Sequence, residues 1–259
     1  MIWGFRYKKS RELKKFTMIR DVTSVRVDVH ELVATLISPD TTIPGVLFLH
    51  GWAGSQERDV ERASAITELG CICLTFDMRG HGELQSSKDT VTRGQNLEDA
   101  IAAYDRLANL KNVEESSIVV IGSSYGGYLA TLLTEYRPVR WLALRAPALY
   151  RDQQWEMPKA HLDRLDLKSY RAAIVGNEDN RALRQARQFC GDVLLIESQY
   201  DDIVPHTTTA SYQTAFINAH SLTVRLLSGA DHALTETKHQ RAYNHLLVRW
   251  VREMVLGAR

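Results

Sequence analysis

Six short, almost wholly apolar runs punctuate the chain, at 45–50, 71–76, 117–121, 141–144, 193–196 and 222–227. A strand half exposed to water would alternate, so unbroken apolarity over so few residues predicts central strands buried on both faces. Two earlier runs, 23–29 and 32–37, are rich in β-branched residues and separated by little more than His30 and Glu31, which predicts an antiparallel opening pair. Between the buried runs the period lengthens to that of a helix, at 60–69, 96–110, 127–136, 208–220 and 236–255. In the second of these Leu97, Ile101, Tyr104, Leu107 and Leu110 recur at three and four residues and share one face. Alternating strand and helix predict an α/β fold with a mostly parallel sheet of about eight strands and helices on both faces. In such sheets reactive groups collect at the carboxyl ends of the strands.

Residues 148–191 break this alternation with weak helical patterns, Trp155, Met157, Pro158 and many charges. So long an insertion between two core strands is expected to serve a site, as a small lid. The chain has 259 residues, 44% of them hydrophobic, enough for one substantial core, so 20–259 is expected to form a single domain. Seven Lys or Arg against one acid in residues 1–20 change the picture only at the start, where 1–19 reads as a solvated basic extension rather than a nucleic-acid arm. Only Phe16, Thr17, Met18 and Ile19 follow the bases, too short an apolar stretch for a secretory signal, and no long apolar run predicts a membrane span. A cytoplasmic location is therefore expected. Of the three cysteines, Cys71 and Cys73 alternate in an apolar run and read as core thiols, with no metal or redox spacing.

The run 117–121 leads directly into Gly122, Ser123, Ser124, Tyr125, Gly126, Gly127 and then a helical pattern. A serine flanked by glycines two residues either side, between strand and helix, fits a tight elbow in which larger side chains would collide and the serine is lifted above the sheet. Free N–H groups at the start of the helix would face negative charge forming there. A serine hydroxyl needs a base and an orienting acid. His232 lies in a loop after the last core run, and Asp201 and Asp202 follow the one before it. Asp201 is preferred because its spacing, three residues after Ser198 and three before Val204, resembles the G-x-x-D-x-x-V-P segments of related hydrolases, with Asp202 the alternative. His50, Gly51 and Trp52 follow the first buried run, where the Trp52 N–H could join that of Tyr125 as an oxyanion hole. His50 is a tempting second base but reads better as a structural group. Asp77, Arg79 and His81, in a glycine-rich stretch after another strand, read as a supporting loop rather than a metal or phosphate site.

Five motifs in this order, H-G-W at 50–52, D-x-R-G-H-G at 77–82, G-S-S-Y-G-G-Y at 122–128, D-D-I-V-P at 201–205 and D-H at 231–232, resemble the α/β-hydrolase superfamily from about residue 20 onward. The elbow looks particularly like the catalytic domains of prolyl-oligopeptidase-type peptidases and their stand-alone esterase relatives. The resemblance implies a serine hydrolase with Ser124 as nucleophile, His232 as base, Asp201 as its partner and the Trp52 and Tyr125 N–H groups as oxyanion donors, needing neither metal nor organic cofactor. A small ester is the expected substrate, in an apolar pocket lined by Trp52, Tyr125, Trp155 and Tyr200, and a homodimer is allowed. The chain has no room for the large propeller of the peptidases, which favours ester over peptide. Peptidase or amidase activity and a non-catalytic binding role are the competing readings. A dienelactone-type enzyme would be expected to carry Cys at position 124.

Overall fold

The computed structural model describes residues 18–39 and 43–257, so most of the basic extension expected at 1–19 lies outside the described residues. Eight strands, β1 (Met18–Val27), β2 (His30–Pro39), β3 (Ile43–Leu49), β4 (Ile72–Phe76), β5 (Val113–Ser123), β6 (Trp141–Arg145), β7 (Asp192–Tyr200) and β8 (Ser221–Asp231), form one sheet in the order β1-β2-β4-β3-β5-β6-β7-β8. The β1–β2 and β2–β4 pairs are antiparallel and the remainder parallel. Helices α1 (Glu57–Thr67), α2 (Arg93–Ala108), α3 (Tyr125–Leu133), α4 (Arg164–Arg171), α5 (Arg181–Gln188), α6 (His206–Ala215) and α7 (Thr237–Gly257) complete the fold. No helix among the described residues is long and apolar enough to cross a membrane.

The unbroken apolar runs serve two cores at once. Leu47 and Leu49 of β3, Ile118 and Val120 of β5 and Leu142 and Leu144 of β6 face one cluster with α2, α3, α5 and α6. Their neighbours Val46, Phe48, Val119, Ile121 and Ala143 face the other, with α1 and α7. Side chains alternate along a strand, so a strand covered on both sides must be apolar at every position. Cys71 and Cys73 lie in the second cluster, where burial raises the Cys73 thiol pKa, while Cys190 is exposed. The 148–191 segment packs into the first cluster through Leu149, Tyr150, Leu162, Leu167, Val175, Ala182, Leu183, Ala186 and Phe189, so it is continuous with the main core.

Neutral histidines and one buried ion pair tie the strand-end loops together. His50 Nε2 accepts from the Met78 N–H at 3.1 Å, leaving its proton on Nδ1 to be donated to Gly51 O at 2.8 Å. His81 Nε2 accepts from the Ala53 N–H at 3.0 Å, and its Nδ1 lies 3.2 Å from Arg79 O. Burial, and then the neighbouring His50, lower the His81 pKa from 6.5 to about 3. Arg79 donates from Nε to Asp99 Oδ1 at 2.5 Å and pairs with Glu98 at 2.9 Å. Asn96 then donates to Asp99 and accepts from the Tyr125 hydroxyl, carrying the support to the start of α3.

Removing the Asp99 carboxylate by Asp99→Ala strips a buried guanidinium of its closest partner and is expected to cost about 3 kcal/mol in urea unfolding; a loss below about 1 kcal/mol would contradict this bracing role. Because the unfolded chain protonates His81 near 6.5 and the folded chain only near 3, stability is expected to fall as the pH drops through that interval. His81→Gln keeps an acceptor for Ala53 without the titration, and its stability should fall less steeply by up to about 1.4 kcal/mol per pH unit. Parallel slopes for the two proteins would count against a neutral His81.

Candidate active site

Between β5 and α3 the chain reverses at Ser124, which has φ +53° and ψ −111°, a conformation that side-chain-bearing residues rarely adopt. The turn is over-determined by its neighbours. A Cβ built on Gly126 would lie 2.0 Å from Leu49 O, and one on Gly122 would lie 2.4 Å from Gly126 O, so neither position admits a side chain without moving backbone. Ser124 N–H donates to Arg145 O at 2.8 Å, while Ser124 O accepts from Tyr128 N–H at 3.1 Å and Ala148 N–H at 3.0 Å. Helix α3 starts at the next residue, directing its first N–H groups toward the seryl oxygen's side of the sheet. Among the described residues, the Trp52 and Tyr125 N–H groups donate to no protein acceptor. The 50–54 loop passes close by, since a Cβ on Gly51 would stand 3.6 Å from Ser124 Cβ.

His232 follows β8 and spans the gap between serine and acid. Its Nε2 lies 3.0 Å from Ser124 Oγ, and its Nδ1 lies 2.6 Å from Asp201 Oδ2. The Asp201 carboxylate is almost sealed from solvent, with side-chain exposure of 1% against 19% for the imidazole. Its other oxygen accepts from the N–H groups of Ile203 at 3.0 Å and Val204 at 2.7 Å. Asp202 is exposed and makes no contact with the imidazole. The sequence-selected Ser124, His232 and Asp201 therefore meet in one line, and His50 is engaged in its own loop. Arg145, which sequence reading passed over, donates from Nη1 to His232 O at 2.9 Å and packs against Tyr243. A charged residue ending the otherwise apolar 141–144 run was the available signal.

A cleft of about 630 Å³ opens beside Ser124 and His232, bounded by Trp52, His81, Lys88, Arg145, Leu234 and the first turns of α1. Arg58, Arg62, Glu57 and Asp59 make it more polar than the apolar pocket expected. Trp52 lines it as anticipated, and Ser123 lines it too. The other three expected pocket side chains stand elsewhere. Tyr125 is fully buried with its hydroxyl on Asn96, because α3 must cover the sheet. Trp155 packs between the Arg93 and Arg181 guanidinium groups. Tyr200, near the end of β7, is 68% exposed. No residue of 148–191 lines this cleft, in contrast to the lid expected there. Its apolar side chains draw it onto the α2–α3 face instead. The described residues contain no cluster of metal-ligating side chains.

This chain is similar to the uncharacterised protein Rv2307c of Mycobacterium tuberculosis, 31% identical over 63% of this chain and 54% of the relative. The chain thus spans about half the length of that relative. The mitochondrial palmitoyl-protein thioesterase ABHD10 of Pongo abelii is 24% identical over 74% of this chain and 68% of its own. Among solved structures, the dienelactone hydrolase of Anabaena variabilis superposes with a TM-score of 0.66 at 20% identity, covering 90% of this chain and 96% of the other. That likeness establishes the shared α/β-hydrolase fold. The family described as the prolyl oligopeptidase family, peptidase S9, matches residues 58–257. With most of its length matched and its eight-stranded sheet built on the same plan, the chain belongs to the prolyl oligopeptidase family of α/β hydrolases.

Proposed function

We propose that the protein is a serine hydrolase that cleaves carboxylic esters of small to medium acyl groups through an acyl-enzyme. The observation that carries this reading is the unbroken line from Ser124 Oγ through His232 to Asp201 beside a cleft. In the proposed mechanism His232 Nε2 removes the seryl proton as Oγ attacks the ester carbonyl. Asp201 holds the Nδ1 proton and balances the imidazolium charge, its own position locked by two main-chain N–H groups. The Trp52 and Tyr125 N–H groups receive the oxyanion, for which they need no rearrangement of protein partners. The imidazolium then protonates the departing alkoxide, leaving the acyl group on Ser124. Water activated by the same imidazole attacks the acyl-enzyme, and collapse restores the serine and releases the acid. These steps use side chains and backbone alone.

An ester substrate is supported by the superposition, over 90% of this chain, on a hydrolase named for a lactone, which is an internal ester. Amide cleavage is the second reading, favoured by the peptidase name of the family itself. A panel of p-nitrophenyl esters beside aminoacyl anilides separates the two. Higher kcat/KM on the esters is expected, and faster anilide turnover would reverse the preference.

A fluorophosphonate probe is expected to label the wild type and leave Ser124→Ala unlabelled; equal labelling of both would remove Ser124 from the mechanism. On the best ester, Asp201→Asn is expected to lower kcat by about 10⁴-fold through loss of the correct imidazole tautomer. Asp202→Asn should stay near wild type, and the opposite ranking would exchange the two residues.

A further inference from the structure

Lys159 of the 148–191 segment lies outside the cleft but sets its ammonium against the ring of Trp52, which lines it, and packing alone gives no reason for a lysine there. It is 9% exposed, and its ammonium lies 4.5 Å from the Trp52 ring centre, 5.1 Å from that of Tyr150 and 5.5 Å from that of Tyr125. No carboxylate among the described residues is within ion-pair distance of it. An ammonium buried without a counter-ion is costly, and the ring faces return only part of that cost. Methionine or leucine would fill an aromatic cage with no such penalty. The position is nevertheless held firmly: Lys159 N–H donates to Val91 O at 2.9 Å, and Pro158 bridges Thr92, the capping residue of α2.

Two of the three cage residues, Trp52 and Tyr125, are those whose N–H groups receive the oxyanion in the reading above. The Trp52 ring is wedged by Lys159, by His81 at 4.8 Å and by Tyr125 at 5.5 Å, both edge-on. We propose that Lys159 is a positioning residue of the hydrolytic site, whose caged ammonium fixes the Trp52 loop against the elbow and sets a positive charge behind the oxyanion donors. This proposal rests on the serine-hydrolase reading. Charge that develops on the carbonyl oxygen in the transition state is stabilised by that field, whereas the uncharged ester in the ground state is not, so kcat rather than KM carries the effect. The groups facing the ammonium are Tyr150 from the segment that follows β6, Tyr125 from the first turn of α3, Arg93 from α2 and Arg171 from α4. Burial lowers the ammonium pKa below the ordinary lysine value, Arg171 and Arg93 push the same way, and Tyr150 opposes them. Rising pH therefore discharges Lys159 sooner than an exposed lysine, and the benefit is lost on the alkaline side.

The test compares wild type, Lys159→Met and Lys159→Arg on a p-nitrophenyl ester, with a boronic acid as the tetrahedral analogue and the rate of fluorophosphonate labelling as a substrate-independent readout. Lys159→Met is expected to lose about tenfold in kcat and in labelling rate with KM unchanged. Its affinity for the boronic acid should fall by the same factor. Lys159→Arg should regain most of the loss and carry its alkaline limb to higher pH. Wild-type kcat and boronate affinity in Lys159→Met would overturn the proposal, as would parallel losses in KM and melting temperature in both variants, which mark packing alone. If Lys159→Met does not fold, the alkaline limb of Lys159→Arg decides: displacement supports the proposal and coincidence with wild type overturns it. A wild type that no fluorophosphonate labels removes the serine-hydrolase reading and this proposal together, whereas equal labelling of wild type and Lys159→Met removes this proposal alone.

Discussion

Leu49 O and the backbone at Gly126 approach so closely that even a Cβ at 126 would lie 2.0 Å from that oxygen. This contact presses the first turn of α3 onto the end of β3, and the remaining geometry follows from it. With the helix start so near the strand, the two residues between Gly122 and Tyr125 have no room for an ordinary turn, and Ser124 is forced to φ +53°. The same approach sets the 50–54 loop beside the serine, and there the Trp52 ring meets that of Tyr125 edge-on at 5.5 Å. Hydrogen bonds from Ser124 to Arg145, Tyr128 and Ala148 then spread the strain over β6 and α3.

Around that backbone contact the ionisable groups divide by how they are solvated. His50 and His81 are buried, and each accepts a main-chain N–H, so they act as neutral struts for the loops after β3 and β4. His232 is the partly open imidazole, bonded to a sealed carboxylate on one side and a hydroxyl on the other. Neither Arg145 nor Lys159 has a carboxylate in ion-pair distance among the described residues, Arg145 holding the base loop by the His232 carbonyl and Lys159 lying caged against the Trp52 ring. Each is placed by a different element, so the site depends on β6 and the 148–191 segment as much as on the loops that carry the reacting groups.

Much of this could be read in the chain because the relevant signals are local. Five of the six apolar runs became inner strands feeding two cores, whereas 222–227, expected to be central, became the edge strand β8 and leaves Leu226 exposed; the glycine-flanked Ser124 became a turn because glycine alone fits beside it. Choosing Asp201 by spacing also has a local cause: its Oδ1 closes a turn onto the N–H groups of Ile203 and Val204, a bond Asp202 does not make. Pocket side chains were less legible. Tyr125, Trp155 and Tyr200 share the amphipathic character of lining residues, yet long-range packing sends one into the core, one between two arginines and one to solvent. The 148–191 segment looked like a cover because its length and charge were visible and its docking partners on α2 and α3 were not.

The most direct test of the account is a crystal structure of the covalent adduct formed with a phosphonate. Phosphorus is expected on Ser124 Oγ, with the phosphonyl oxygen within about 2.7–3.1 Å of the Trp52 and Tyr125 main-chain nitrogens and His232 still bonded to Asp201. An adduct on Ser123, or a phosphonyl oxygen turned to solvent with both N–H groups unoccupied, would contradict it.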